Sequence, residues 1–68
     1  MDVLERFGKK VRATRLSRDL SQEDLAELSG PHRTYNSLVE RGKRNIGLRN
    51  IDALARALGV SIHELLKF

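Results

Sequence analysis

The 68-residue chain has no cysteine and no tryptophan, one proline, and three aromatic residues, Phe7, Tyr35 and Phe68. Without cysteine there is neither a disulfide framework nor a thiolate metal site, and nothing argues for an oxidising compartment, so a cytoplasmic protein is expected. Three aromatics are too few for a platform on which unpaired bases stack, which counts against single strands or RNA as a partner. No apolar run approaches the roughly 20 residues of a membrane span, and Met1-Asp2-Val3-Leu4-Glu5-Arg6 lacks the apolar core of a signal peptide. No membrane association is expected. The two-residue alternation of a strand is missing, as are internal repeats, linkers and low-complexity tracts. Catalysis lacks its materials: there is no paired nucleophile and base, no metal cluster and no glycine-rich phosphate loop. Neither an enzyme nor a cofactor nor a small-molecule substrate is expected.

What the chain does have is segregated charge. Thirteen Lys and Arg against nine Asp and Glu leave a net charge of only +4. Yet Lys9, Lys10, Arg12, Arg15 and Arg18 lie in one stretch without an acid, and Arg33, Arg41, Lys43 and Arg44 lie in another against Glu40 alone. The acids gather instead at Asp19, Glu23, Asp24 and Glu27. Segregation of this kind suits a polyanionic partner better than evenly mixed solubilising charge does.

The periodicity is helical throughout. Leu4, Phe7, Val11 and Thr14 mark one buried stripe on a helix from Val3 to about Arg18, with Gly8 inside it allowing a close approach by another helix. Ser21-Gln22-Glu23-Asp24 opens a second, short helix: the serine hydroxyl accepts from the amide three residues on, and acids in the first turn meet the positive end of the helix dipole. Leu25, Ala26 and Leu28 are expected to pack inward, with Gly30 as a left-handed terminator. Gly30-Pro31 then turns the chain before a third helix opens near His32 or Arg33. His32 is read as a cap or a phosphate neighbour, not a catalytic base. Leu48, Ile51, Leu54, Ala55 and Leu58 mark a fourth helix ended by Gly59, and Ser61-Ile62-His63-Glu64 reads as a full capping box for a fifth. The apolar residues of that last helix, Ile62, Leu65, Leu66 and Phe68, spread wider than a core-facing stripe needs. They read either as cover for a small core or as a dimer surface, and a homodimer is expected. The fold class is all-α, with five helices in one domain spanning residues 1–68.

Two short helices joined by a tight glycine-containing turn are the sequence form of a helix-turn-helix. The second of the pair, about 32–41, separates two faces at 100° per residue. Arg33, Thr34, Ser37, Leu38 and Arg41 share an outward arc, while Tyr35, Asn36 and Val39 lie opposite. An arginine can bond both acceptors of guanine, and threonine or serine can bond a base edge or touch the thymine methyl. Gly42 ends the helix and releases Lys43-Arg44 toward phosphate.

Taken together, Ser21 to Ala26, Gly30, Tyr35, Val39 to Asn45 and Leu54 to Val60 resemble the XRE family of helix-turn-helix regulators, which includes the phage Cro and CI repressors. The stretch His32-Arg33-Thr34-Tyr35 followed by Glu40-Arg41-Gly42-Lys43-Arg44-Asn45 is similar to the small controller proteins of restriction-modification systems. The resemblance implies a lambda-repressor-like five-helix domain that binds a double-stranded operator as a two-fold dimer. By the same resemblance, Arg33, Thr34 and Ser37 face base edges with Leu38 and Tyr35 beside them. Gln22 and Ser21 at the start of the second helix, together with Arg41, Lys43, Arg44 and Asn45, hold phosphates. Glu40 pairs with Arg15 to lock the recognition helix to the first. Three positions depart from the family pattern: Pro31 and Asn36 stand where aliphatic residues are usual, and Gly47 where a serine or threonine cap is common. A buried amide without partners costs about 1 to 3 kcal/mol. The competing reading is a protein-binding module, either an antitoxin or the DNA-binding part of a longer regulator. A chain that ends at Phe68 leaves nothing to wrap a toxin, which counts against the former.

Overall fold

A computed structural model describes residues 1–30 and 32–68. Five helices follow one another: α1 Val3–Ser17, α2 Gln22–Ser29, α3 Arg33–Glu40, α4 Leu48–Leu58 and α5 Ile62–Leu65. No strand occurs among the described residues. The turn expectation at Pro31 lies outside them.

Side-chain caps fix where several of these helices start. Asp2 accepts from the Leu4 amide while Glu5 reaches back to the Asp2 amide, so α1 begins with a reciprocal box that the sequence reading did not single out. At α2 the Ser21 hydroxyl accepts from the Asp24 amide, and the Asp24 carboxylate accepts from the Ser21 amide at 2.9 Å. The shorter aspartate thus closes the same box that glutamate usually closes. The Ser21 amide, then its hydroxyl, hold the Asp24 carboxyl below its usual 3.8. At α5 only half of the expected box forms: Ser61 accepts from the Glu64 amide, and no return bond from Glu64 is made. Gly47, as its lack of a side chain requires, gives α4 no side-chain cap.

The ends differ as well. α1 stops not at a glycine but at Asp19, whose φ of +57° is tolerated because a short polar side chain visits the left-handed region at modest cost. The Leu20 amide then bonds back to the Arg15 carbonyl. α3 ends in a Schellman arrangement: Gly42 has φ +72°, its amide donates to Val39 O, and the Lys43 amide donates to Leu38 O.

Phe7 and Val11 of α1, Leu25 of α2, Val39 of α3, Leu54, Ala55 and Leu58 of α4 and Leu65 of α5 form one buried cluster. Full burial of an aliphatic side chain stabilises by roughly 1.5 to 3 kcal/mol. A core of eight residues drawn from all five helices is therefore what holds so short a chain together. Three expected packing roles are corrected by this arrangement. Leu48 is 69% exposed at the first position of α4, outside the stripe that Leu54, Ala55 and Leu58 bury. Leu28 is 61% exposed, because Leu25 and Ser29 already face inward from α2 and position 28 falls on the outer side. Thr14 is only half-buried, and its hydroxyl donates to the Lys10 carbonyl of its own helix.

Candidate DNA-binding surface

α3 is carried on α1 at Gly8 and Arg15, two buried positions two turns apart on one side of that helix. At its end the Arg15 guanidinium grips the Glu40 carboxylate twice, Nε to Oε2 at 2.7 Å and Nη2 to Oε1 at 3.1 Å. The pair is buried, and an isolated buried charge would be costly. Here the remaining valences are filled: Arg15 Nη1 donates to the Leu20 carbonyl at 2.8 Å, and Gln22 Nε2 donates to Glu40 Oε1 at 3.2 Å. The pairing also acts on the surface charge. It sinks Glu40, the single acid of the segment 32–45, into the protein and leaves Arg33, Arg41, Lys43 and Arg44 exposed.

The two sides of α3 separate as its pattern implies. Arg33, Thr34 and Arg41 are exposed and Ser37 and Leu38 half-buried, while Asn36, Val39 and Glu40 are buried. Gln22, Arg33, Thr34 and Ser37 line one shallow cleft between the start of α2 and the outer face of α3, so these four are brought together in space. Arg33 reaches Glu23 across it at 3.5 Å, with both side chains mostly in solvent. Such a pair is worth only about 0 to 1 kcal/mol and leaves the guanidinium free to rearrange.

Tyr35, expected on the packing arc yet also beside the reading residues, is half-buried. Its hydroxyl accepts from Asn50 Nδ2 at 3.0 Å, and its ring lies under the Arg44 guanidinium at 5.1 Å. The ring thereby ties the loop after α3 to the helix, by a cation–π contact of roughly 0.5 to 2 kcal/mol. No local spacing relates Tyr35 to Asn50 or Glu23 to Arg33, so neither contact was visible in the sequence. Asn36, by contrast, is 1% exposed, as the wheel places it. Its amide nitrogen makes a long 3.4 Å bond to Ser29 Oγ, and its Oδ1 is the one buried side-chain oxygen or nitrogen without a partner among the described residues.

The remaining expected contacts spread around this centre. Ser21 is exposed, with its hydroxyl accepting from Asp24. Lys43, Arg44 and Asn45 are exposed in the loop that leaves α3. His32 occupies the N-cap position in extended backbone, but its side chain caps nothing.

The anticipated dimer surface is only partly present, and this is a correction. Leu65 is fully buried in the protein's own core and so is not available to a partner, and half-buried Ile62 packs partly against that core. Leu66 and Phe68 are exposed at 42% and 43%. They border an apolar cleft of about 180 Å³ that Val3, Leu4, Ile46 and Ile51 complete. Phe68 is held there against Phe7, ring centres 6.2 Å apart, and under the Arg6 guanidinium.

A helix-turn-helix family model matches residues 11–65. The control protein C.BamHI of Bacillus amyloliquefaciens is 52% identical over 63 residues, covering 91% of this chain and 78% of the relative. The crystal structure of the restriction-modification controller protein C.AhdI from Aeromonas hydrophila superposes with a TM-score of 0.90 at 50% identity, over 91% of this chain and 94% of that one. The C.Esp1396I controller, solved as a tetramer in complex with its natural 35 base-pair operator, superposes with a TM-score of 0.84 at 32% identity, over 98% and 99% of the two chains. With its exposed α3 face and the paired helices that carry it, the chain belongs to the helix-turn-helix family, among the restriction-modification controller proteins.

Proposed function

We propose that this chain is a cytoplasmic transcriptional regulator of a restriction-modification system that binds a palindromic operator as a two-fold homodimer, with α3 in the major groove. The observation that carries this reading is the division of α3. Its inner side is sunk in the core and bonded to α1 through Arg15 and Glu40, and its outer side presents Arg33, Thr34 and Ser37 on one cleft wall, with half-buried Leu38 further along the helix and cations beyond. A face held this firmly positions hydrogen-bonding groups against base edges, where geometry decides energy. Arg33, Thr34 and Ser37 read bases. Tyr35 acts mainly by holding Arg44, which together with Ser21, Gln22, Arg41, Lys43 and Asn45 holds phosphate. The C.Esp1396I complex supports operator binding by an oligomer of this fold.

For the dimer, the corrected surface is Leu66 and Phe68 with Val3, Leu4, Ile46 and Ile51. Two recognition helices related by its two-fold axis meet half-sites about one DNA turn apart, roughly 34 Å. Selection of bound sequences from a random duplex pool tests both parts of the reading. A palindrome with that spacing is the expected result; enrichment of no sequence would overturn it. Sedimentation of the wild type and of Leu66→Glu tests the surface: a dimer that becomes a monomer is expected, and a dimer indifferent to the charge would remove this face from the account.

A further inference from the structure

A methyl group on Gly8 would lie 2.4 Å from the Val39 carbonyl oxygen and 2.6 Å from the Glu40 carbonyl oxygen. Both are main-chain atoms of the last turn of α3, and no flexible side chain stands between them and α1. Gly42, just past that turn, makes the converse contact: a methyl there would lie 2.8 Å from Glu5 Cα. Glu5 and Gly8 are one helical turn apart on α1, and Arg15 follows Gly8 by two turns on the same side. The end of α3 therefore sits on a backbone-to-backbone seam, continued by the Arg15–Glu40 grip.

We infer that Gly8 is a specificity-determining positioning residue: by letting α1 and α3 touch main chain to main chain, it sets how far the recognition helix projects and so whether Arg33, Thr34 and Ser37 reach base edges. This rests on the DNA-binding reading given above. The magnitude follows from two lengths. An added methyl must move from 2.4 Å to at least 3.0 Å from Val39 O, so one helix must shift by more than half an ångström. The whole range of ordinary N–H···O bond lengths, about 2.7 to 3.2 Å, is no wider than that. Short side chains such as Thr34 and Ser37 cannot absorb the shift. Lys43 and Arg44, long and in a loop, can. Displacing α3 thus removes base readout and spares phosphate binding.

The experiment measures the ratio of specific to non-specific affinity, selected operator against scrambled duplex, for wild type, Gly8→Ala and Val11→Ala. Val11→Ala removes core packing from the same face of α1 without adding an obstruction, so it reports destabilisation alone. All three are titrated at 5 °C, with folding confirmed by circular dichroism. Gly8→Ala is expected to lower the ratio by about tenfold or more, the loss of one or two base contacts, while Val11→Ala leaves it within about twofold of wild type. A folded Gly8→Ala with the wild-type ratio, or an equal fall in both variants, overturns the inference. If Gly8→Ala does not fold, it is read in an Asn36→Ile background, which replaces the buried unpartnered amide, against Asn36→Ile alone: a fall in the ratio supports the inference and an unchanged ratio overturns it. A wild type that does not distinguish the two duplexes is the separate result that would reject the DNA-binding reading itself.

Discussion

At its C-terminal end α3 rests on the main chain of α1 at Gly8, is gripped by the buried Arg15–Glu40 pair and closes in a Schellman turn at Gly42. At its N-terminal end the helix has no side-chain cap from His32, a loose solvent-exposed contact between Arg33 and Glu23, and, just inside, the half-satisfied amide of Asn36. Stability is concentrated at one end and, on the docking proposed above, readout at the other. The difference teaches how a chain of this length can present polar side chains to a ligand: the helix is fixed at one end, and the groups proposed to read bases are held at most by a loose surface pair that DNA can replace.

The comparison is broken most severely at the anchored end. Glu40→Ala leaves the Arg15 guanidinium buried without its counter-charge, which costs about 3 to 5 kcal/mol. A domain of this size has a total stability of roughly 3 to 10 kcal/mol. Urea unfolding should therefore show a midpoint shifted far toward water, with about a third or more of the stability lost. Replacing both partners together, Arg15→Met with Glu40→Leu, removes the unpaired charge and should recover most of that loss. A single-variant cost below about 1 kcal/mol would mean that the pair does not anchor α3.

Near the reading end the sign reverses. Asn36→Ile exchanges a buried amide with one unpartnered oxygen for the aliphatic side chain that the family pattern favours, and should raise stability by about 1 kcal/mol. Ser29 loses only a long bond and keeps its donation to the Leu25 carbonyl. Thermal unfolding decides the point, and a lower melting temperature would show that the amide is fully satisfied in solution.

The smallest effect lies in the helix that precedes the turn. Because the folded pKa of Asp24 is lowered below its usual 3.8, its cap contributes stability above that value and loses it as the pH falls through the lower, folded one. Urea unfolding of wild type and Asp24→Asn between pH 6 and pH 3 should converge toward the acid end. A gap that does not change with pH would mean that the carboxylate adds nothing beyond its shape.

Much of this architecture was legible in the chain because it is written in local spacing. Three-and-four periodicity marks α1 and α4, Ser21 and Ser61 mark helix starts, and Gly42 marks the end of α3. The outward arc of α3 follows from the same wheel, including the burial of Asn36. What spacing cannot express is competition for a limited core. Leu65 and Leu66 look alike as a sequence, yet only one direction from the short α5 leads into the cluster of Phe7, Val11 and Leu54, and Leu65 takes it. Leu28 loses the same competition to Leu25. Contacts between elements, such as Asn50 with Tyr35 and Glu23 with Arg33, depend on how helices cross and have no signature within either element. The Arg15–Glu40 pair is just as distant in sequence; family resemblance, rather than spacing, pointed to it.

The division of labour along this surface is tested most directly by paired titrations of Arg33→Ala and Lys43→Ala against the selected operator and a scrambled duplex, over a range of salt. Arg33 sits in the first turn of α3 on the exposed face, so Arg33→Ala should cost about 1 to 3 kcal/mol on the operator and much less on the scrambled duplex. Lys43 lies beyond the helix, so Lys43→Ala should weaken both duplexes alike and reduce the salt slope by about one unit. If Arg33→Ala weakened both equally while Lys43→Ala changed the preferred base, the reading end and the holding end would be reversed and the proposed docking of α3 would be wrong.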